Sequence, residues 1–335
     1  MLLRETGFVS EGSEVAALFF SLAVIQSSGR RRDLATPCVA RTWFSLAAYR
    51  SHLAMRCLST RPSLFLAAVL LLTAPLIFSS ADVTSSTLPL APLPHVKHRI
   101  AVIAHRGGAT LAPENTLASF RACIKLGIDF VEMDVRETHD HALVVMHDRT
   151  VDRTTNGTGA VADLDLDVLR RLDAGSKFSP AFAGTKIPIF EDILDLCHNR
   201  INIYLDHKEG SIREIVALLR AHDMLKQVVI YDGVDEAREW QRVAPGLPVM
   251  ISVPDQYKHE ADLPDLVKLL HLEILDGHFL EWTAPLVAAA HHAGAKVYVD
   301  NLGVGDNEEG YRHSLAMGVD GIQTDHPDKL LTFLR

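Results

Sequence analysis

The stretch that decides the fold is residues 130–148, FVEMDVRETHDHALVVMHD. It holds two apolar runs, Phe130–Asp134 and Leu143–His147, which are joined by a short polar segment with a turn near 139–141. A crossover between parallel strands needs roughly a dozen or more residues, usually with a helix. Because the joining segment is shorter than that, the second run is predicted to pair antiparallel with the first as a hairpin.

Short apolar runs recur through the rest of the chain and alternate with helical patterns, which is typical of a parallel sheet covered by helices. Apart from the hairpin run, eight strands are predicted: Ala101–His105, Phe130–Asp134, Ile201–Asp206, Val228–Tyr231, Val249–Val253, Ile274–Gly277, Lys296–Asp300 and Gly321–Thr324. The fold class is therefore α/β, a (β/α)8 TIM barrel with an extra antiparallel hairpin strand. Residues 149–188 interrupt the rhythm and predict a small insertion subdomain over the barrel mouth.

Residues 1–81 are predicted to be a leader. Residues 64–77 are almost wholly apolar, basic residues precede them, and Ser79-Ser80-Ala81 follow, as in a secretory signal peptide. We expect a signal peptide at about 55–81, preceded by an over-extended start or an unusually long leader. The apolar run is short for a membrane span. The protein is therefore expected to be exported, periplasmic or secreted, with no stable membrane span after processing; an uncleaved membrane anchor is the alternative.

The remaining chain suits one domain. Residues 82–97 are rich in Ser, Thr, Pro and Leu and are predicted to be a linker, and residues 98–335 suit one barrel domain of the usual size, roughly 250 residues. The formal net charge is -9 and the domain has no basic run, so a nucleic-acid partner is not expected. Cys123 and Cys197 lie in apolar helical patterns and are predicted to be buried free thiols, with a mutual disulfide as the alternative.

Acidic side chains lie together on one predicted strand. Glu132 and Asp134 are two residues apart, so both face the same side, where they would repel each other unless a cation lay between them. Oxygen ligands of this kind suit Ca²⁺ or Mg²⁺; an exposed strand face is the alternative. Asp206 ends another strand and is a candidate third ligand. Lys208, on the same face, is a candidate phosphate-binding charge, and a structural Asp–Lys pair is the other interpretation.

Two histidines end apolar strands. His105 is followed by Arg106 and two glycines, a combination that suits proton transfer beside a bound phosphate. His147 is a candidate second acid–base group or a metal ligand, whereas a hydrogen-bonded core histidine is the plainer interpretation of either residue. The predicted hairpin brings Asp134 and His147 to about the same height, so that Glu132, Asp134 and His147 can converge.

Two further residues are candidates for substrate binding. Glu114 precedes a predicted helix in Pro113-Glu114-Asn115-Thr116, where Asn115 is expected to be the N-cap. Glu114 could contact the metal or the substrate, or lie near the helix dipole. Tyr298 could form a wall of the pocket or be a core aromatic.

The chain resembles glycerophosphodiester phosphodiesterases, a family of the phosphatidylinositol-phospholipase-C-like TIM-barrel superfamily. The resemblance rests on an ordered set of fragments across about 98–335: His105-Arg106-Gly107, Pro113–Thr116, Glu132-Met133-Asp134, His147-Asp148 and Gly318–Pro327. It implies a barrel with a small insertion and hydrolysis of glycerophosphodiesters to glycerol phosphate and an alcohol.

The resemblance also implies roles for individual residues. One divalent cation, Ca²⁺ or Mg²⁺, would be held by Glu132, Asp134 and Asp206, the acid–base pair would be His105 and His147, and Arg106 and Lys208 would contact the phosphate. The chain departs from the family at two of the residues singled out: the third ligand is usually Glu rather than Asp206, and the late strand often carries Trp rather than Tyr298.

Two other functions fit the same residues. A phospholipase D-like or phosphoinositide-cleaving barrel, with lysophospholipid as a possible substrate, would show an apolar rim around residues 149–188. A non-catalytic barrel could instead bind glycerophosphate groups, but the presence of both histidines and all the carboxylates argues against it.

Overall fold

Eight parallel strands close into a barrel in the computed structural model, which describes residues 91–335. The strands are β1 (Ala101–Ala104), β2 (Phe130–Glu137), β3 (Leu143–Val145), β4 (Asn202–His207), β5 (Val228–Tyr231), β6 (Val249–Ser252), β7 (Ile274–Asp276), β8 (Lys296–Asp300) and β9 (Gly321–Thr324). All except β3 pair in parallel, in the order β1-β9-β8-β7-β6-β5-β4-β2. The pairing of β1 with β2 closes the ring. The predicted (β/α)8 barrel is therefore confirmed.

Strand β3 pairs antiparallel with β2, as the short connection between them predicted. The register places Val145 opposite Val135, and the Met146 amide donates a 2.9 Å hydrogen bond to the Asp134 carbonyl. Met146, rather than His147, is therefore level with Asp134. His147 lies one residue further on, past the end of the strand, where the Arg136 guanidinium bonds to its carbonyl at 2.7 and 2.9 Å.

Helices cover the outside of the barrel, except the second, α2 (Leu166–Leu169), which belongs to the insertion. They are α1 (Leu117–Leu126), α2 (Leu166–Leu169), α3 (Phe190–Cys197), α4 (Ile212–Ala221), α5 (Val234–Val243), α6 (Leu263–Leu270), α7 (Ala284–His292), α8 (Glu308–Met317) and α9 (Pro327–Phe333). Among residues 91–335, none of them has the length and apolar character needed to cross a membrane. The predicted leader and the first part of the predicted linker lie outside the described residues.

The barrel separates two apolar layers. Outward-facing residues of the strands pack under the helices, and inward-facing residues fill the barrel: Ala101, Ile103, Phe130, Tyr204, Val229, Met250, Ile274 and Tyr298. Side chains alternate along a strand. Since Val131 and Met133 pack in the outer layer, Glu132 and Asp134 face the barrel interior. The predicted shared face of these two carboxylates is thus the inner one.

Residues 149–188 form the predicted insertion after β3. The insertion contains α2 and two short 3-10 turns, and it packs on an apolar cluster of its own, formed by Val144, Met146, Val151, Val161, Leu169, Ala174 and Ile187. This cluster is separate from the two layers of the barrel. The insertion therefore packs on the hairpin: Val144 and Met146 belong to its apolar cluster, and the His139 amide in the hairpin turn donates to the Leu164 carbonyl at 3.0 Å.

The turn after β1 packs tightly against α1. Gly107 has φ +72°, and a Cβ there would lie 2.0 Å from Cε1 of the fully buried Phe120. The buried Cys123 thiol donates to the Gly107 carbonyl at 3.2 Å. Cys123 and Cys197 are both buried and free, as the sequence predicted. Only glycine fits this turn, because both the backbone angle and the available space exclude a side chain.

Replacing Gly107 by alanine tests the tightness of this turn. We expect Gly107→Ala to lower the free energy of unfolding by about 2 to 4 kcal/mol, through left-handed strain together with displacement of Phe120. Gly127→Ala is the matched control, since Gly127 has φ +80° but nothing within 4 Å of the added Cβ. It should cost only about 1 kcal/mol. Equal losses for the two variants in denaturant titrations would contradict the close contact with Phe120.

Candidate active site

The polar side chains at the carboxyl ends of β2 and β4 meet inside the barrel mouth. Asp134 and Asp206 are partners in the β2–β4 register, so they lie at the same height. Oxygens of Glu132, Asp134 and Asp206 all lie within 4.8 Å of one another. We call these three residues the carboxylate cluster. The exposed fractions of Glu132 and Asp134 are only 3% and 1%, so water stabilises their charges little.

Hydrogen bonds from neighbouring segments hold the carboxylate cluster in place. The Arg106 backbone amide donates to Glu132 Oε2 at 2.5 Å, and Asn115 Nδ2 donates to Asp134 Oδ2 at 2.8 Å. Lys208 Nζ lies 2.5 Å from Asp206 Oδ2 and 3.4 Å from Asp134 Oδ1. Among the described residues, Lys208 is the only cation in salt-bridge range of the carboxylate cluster, and it reaches two of the three carboxylates, Asp134 and Asp206.

The pKa values within the carboxylate cluster reflect burial first and the neighbouring charges second. Burial, followed by the charges of Asp134 and Asp206, raises the pKa of Glu132 well above its ordinary value. Burial also raises the pKa of Asp206 to about 6, against the opposing charge of Lys208. Asp134 Oδ1 is buried and accepts no hydrogen bond from the described residues. Three converging carboxylates, one of them with a buried oxygen that accepts no hydrogen bond, fit a hard divalent cation such as Ca²⁺ or Mg²⁺.

His105 lies in a short 3-10 turn directly after β1, at the rim of the mouth. Its Nδ1 is 2.7 Å from Asp325 Oδ1, and this carboxylate follows β9, the neighbour of β1 in the sheet. The hydrogen bond to His105 is the main reason that the pKa of Asp325 lies below its ordinary value. A carboxylate on Nδ1 fixes the ring orientation and leaves Nε2 for proton exchange.

His147 has the same arrangement at another point of the rim. Its Nδ1 is 2.8 Å from Asp148 Oδ1, and about a third of the side chain is exposed. It directly follows Met146, whose amide bonds to the Asp134 carbonyl, so the His147 backbone lies one residue beyond the level of Asp134. The side chain of Asp148 also accepts hydrogen bonds from Arg153, and these are the largest cause of its lowered pKa. The structure therefore brings both predicted histidines to the mouth, each with a carboxylate on Nδ1.

Arg106 and Glu114 lie together beside these groups. Arg106 has φ +48°, and its Nη1 donates to Glu114 Oε1 at 3.2 Å. Arg153 binds the same carboxylate through two bonds of 2.7 Å. Although burial raises the pKa of Glu114, the hydrogen bonds and charges of Arg153 and Arg106 bring it below its ordinary value. Glu114 therefore forms hydrogen bonds with two arginines and is not a member of the carboxylate cluster.

The predicted N-cap was wrong by one residue. Thr116 caps α1 through a capping box with Ser119, whereas Asn115 has φ +54° and directs its amide to Asp134. A local capping rule could not predict the role of Asn115, because its side chain bonds to Asp134 on strand β2. Asn115 is thus a site residue that the sequence interpretation assigned to a different role.

Tyr298 lies in the apolar interior of the barrel and not among the polar candidate residues of the mouth. Its exposed fraction is 3%, it belongs to the apolar filling of the barrel, and its ring centroid lies 6.0 Å from that of Phe130. Tyr298 is therefore a core aromatic residue, the alternative to a pocket wall.

For Lys208, the structure shows the Asp–Lys pair that was the alternative to phosphate binding.

Sequence reasoning assigned no role to two residues of the site, Asp325 and Arg153. Asp325 lies in the Gly318–Pro327 fragment of the family resemblance, but its partner His105 is 220 residues away in sequence, so the fragment alone could not show the contact. Arg153 lies in the insertion, without periodicity, and contacts Glu114 across 39 residues. Contacts of this kind depend on barrel closure and on the path of the insertion.

Known proteins with related sequences and structures show which family this arrangement belongs to. The sequence profile described as the glycerophosphoryl diester phosphodiesterase family matches residues 105–329. A glycerophosphodiester phosphodiesterase of Caldanaerobacter subterraneus is 31% identical over 245 residues, which cover 70% of this chain and 97% of that protein.

Solved structures agree. A glycerophosphodiester phosphodiesterase from Agrobacterium tumefaciens matches with TM-score 0.63 and 29% identity, over 70% of this chain and 99% of that one. An Oleispira antarctica phosphodiesterase, solved in complex with the product sn-glycerol-3-phosphate, matches with TM-score 0.63 and 25% identity, over 70% and 96% of the two chains. With its barrel, its carboxylate cluster and these matches, the chain belongs to the glycerophosphoryl diester phosphodiesterase family of phosphoric diester hydrolases.

Proposed function

We propose that this protein hydrolyses small glycerophosphodiesters to glycerol phosphate and an alcohol, using a divalent cation and two acid–base histidines. The observation that carries the proposal is the carboxylate cluster, three acidic oxygens within 4.8 Å beside two histidines with carboxylate partners. The glycerol phosphate product bound to the Oleispira antarctica relative supports the substrate class.

The carboxylate cluster would hold the cation. A Ca²⁺ or Mg²⁺ ion bound by Glu132, Asp134 and Asp206 would supply Lewis-acid stabilisation of charge on a non-bridging phosphate oxygen. Arg106 would add a guanidinium near this position: its backbone amide is bonded to Glu132, and Glu114 holds its Nη1. Lys208, now paired with Asp206, is the second cation proposed to face the phosphate.

The two histidines would move the protons. We assign removal of the proton from the nucleophile to one ring, and donation of a proton to the leaving alcohol oxygen to the other. His105 and His147 suit both tasks, since Asp325 and Asp148 hold their Nδ1 atoms and leave each Nε2 available. The proton lost by the nucleophile and the proton gained by the alcohol balance over one hydrolysis.

Small substrates fit the surface better than membrane lipids do. Among the exposed large apolar side chains in the described region, Phe178 lines a cavity of about 180 Å³ beside Glu114, while Leu126, Leu269, Leu280 and Val304 are outside its lining. The insertion thus contributes one exposed aromatic ring, and not a broad apolar rim. Lysophospholipid remains the comparison substrate for the assay.

Metal removal and replacement test the proposed activity. The purified protein, stripped with chelator, should release no glycerol phosphate from glycerophosphocholine and should recover when Mg²⁺ or Ca²⁺ is restored. Asp206→Asn should weaken cation binding by roughly 10-fold or more, measured by calorimetry, because it removes one of three charged ligands. Asp325→Asn is the control for cation binding, since that carboxylate binds His105. Failure of every cation to support release would refute the proposal, and release from lysophospholipid alone would favour the lipase alternative.

Loss of either histidine tests the acid–base pair. His105→Ala and His147→Ala should each lower kcat by about 100-fold or more, because each removes a proton-transfer group while leaving the cation ligands intact. His139→Ala is the matched control: His139 lies in the hairpin turn, and 69% of its side chain is exposed. Turnover by His147→Ala at the wild-type rate would remove this residue from the proposed pair.

We also propose that the protein is exported, on the strength of the signal-peptide pattern at about 55–81. Expressed with its leader in a secreting host, the mature protein should be found outside the cytoplasm and begin after Ala81. Amino-terminal sequencing measures this directly. A membrane-bound protein with an intact leader would instead support the uncleaved anchor.

A further inference from the structure

Arg153 joins two carboxylates at the junction of the insertion and the barrel. Its Nε and Nη2 donate to the two oxygens of Asp148 at 2.7 and 3.0 Å. Its Nη1 and Nη2 donate to the two oxygens of Glu114, both at 2.7 Å. The Arg153 guanidinium therefore donates four charge-assisted hydrogen bonds, and it contacts both oxygens of each carboxylate.

Each of these carboxylates has a second partner in the proposed machinery. Asp148 Oδ1 is 2.8 Å from His147 Nδ1, and Glu114 Oε1 is 3.2 Å from Arg106 Nη1. A continuous chain of polar contacts thus runs from Arg106 through Glu114, Arg153 and Asp148 to His147. Its two ends are the proposed phosphate-binding cation and one proposed acid–base group.

We propose that Arg153 is a positioning residue, which holds Glu114 and Asp148 so that Arg106 and His147 face the same phosphate. This inference rests on the proposed function, since it assigns the orientation of two groups that act only if the phosphodiester reaction takes place there. Arg153 itself contacts none of the three cation ligands. Its effect should therefore appear in catalysis and leave cation binding intact.

The chemistry of the guanidinium explains why arginine occupies this position. Its planar fork can bind two carboxylates edge-on at once, whereas a lysine ammonium is a single point charge. Without Arg153, Glu114 would have Arg106 as its remaining cationic partner and would draw that guanidinium away from the phosphate. Asp148 would lose the bonds that fix its orientation toward His147.

Because the Arg153 side chain is partly exposed, its loss should affect the positioning of its partners more than the stability of the fold. The Arg153 side chain is 46% exposed, and ion pairs at such exposure contribute little to stability. Arg153 and Glu114 also line the 180 Å³ cavity together with Lys177 and Phe178, so this network forms part of the wall of the mouth. Its loss should change how the substrate is held while the barrel stays folded.

The test compares three arginine variants in the full chain. Arg153→Gln should lower kcat/KM for glycerophosphocholine by roughly 10- to 100-fold, with a higher KM and a lower kcat, as expected when an outer partner of a site is lost. Arg153→Lys should fall between this variant and wild type, and guanidinium ion should partly restore Arg153→Ala. Ca²⁺ affinity by calorimetry should stay within twofold of wild type. Arg170→Gln is the matched control, because Arg170 is an exposed arginine of the same insertion.

The outcomes distinguish this inference from the proposed function. Wild-type kcat and KM in Arg153→Gln, with an active wild-type protein, would overturn the positioning role alone. A fall in kcat at unchanged KM, together with weaker Ca²⁺ binding and no guanidinium rescue, would show a merely structural role and also overturn it. An inactive wild-type protein would overturn the proposed function and this inference with it. If Arg153→Gln fails to fold, the KM and kcat of Arg153→Lys decide between these results.

Discussion

The repulsion among three converging carboxylates, of which Glu132 and Asp134 are buried and Asp206 is half-buried, is the constraint on which the rest of the mouth depends. The β2–β4 register places Asp134 and Asp206 side by side, and Glu132 follows from the two-residue period of the strand. Burial removes most of the water that would separate their charges, and the raised pKa of Glu132 and Asp206 is the consequence. The neighbouring segments supply the hydrogen-bond donors and the cation that stabilise these three charges.

The loop from β1 to α1 supplies much of that compensation at the expense of its own backbone. Arg106 and Asn115 both adopt positive φ, a conformation that costs of order 1 to 3 kcal/mol at non-glycine residues. Each donates a hydrogen bond to one carboxylate, and bonds to charged groups contribute about 1.5 to 3 kcal/mol. The Asn115 backbone N–H also donates to the Arg106 carbonyl at 2.8 Å, which ties the two strained positions together.

Features that depend on local period and length were predictable from the sequence. The parallel strands and the β2–β3 hairpin followed from apolar runs and the spacing between them, and the shared face of Glu132 and Asp134 followed from alternation. The N-cap at Asn115 failed because a tertiary contact with Asp134 outweighs the local capping preference. Partners such as Asp325 and Arg153 were beyond prediction, since no local rule reports which side chains meet when the ring closes.

Barrel closure also makes the two histidines structurally unequal. Strand β1 lies between β9 and β2, so His105 and its partner Asp325 are both fixed by parallel strands of the ring. The amide of Asp325 is held in turn by Asp306, which lies between β8 and β9. His147 instead follows the antiparallel strand, and its partner Asp148 is held by Arg153 of the insertion. A change within residues 149–188 therefore bears on one histidine, while the other keeps the geometry of the ring.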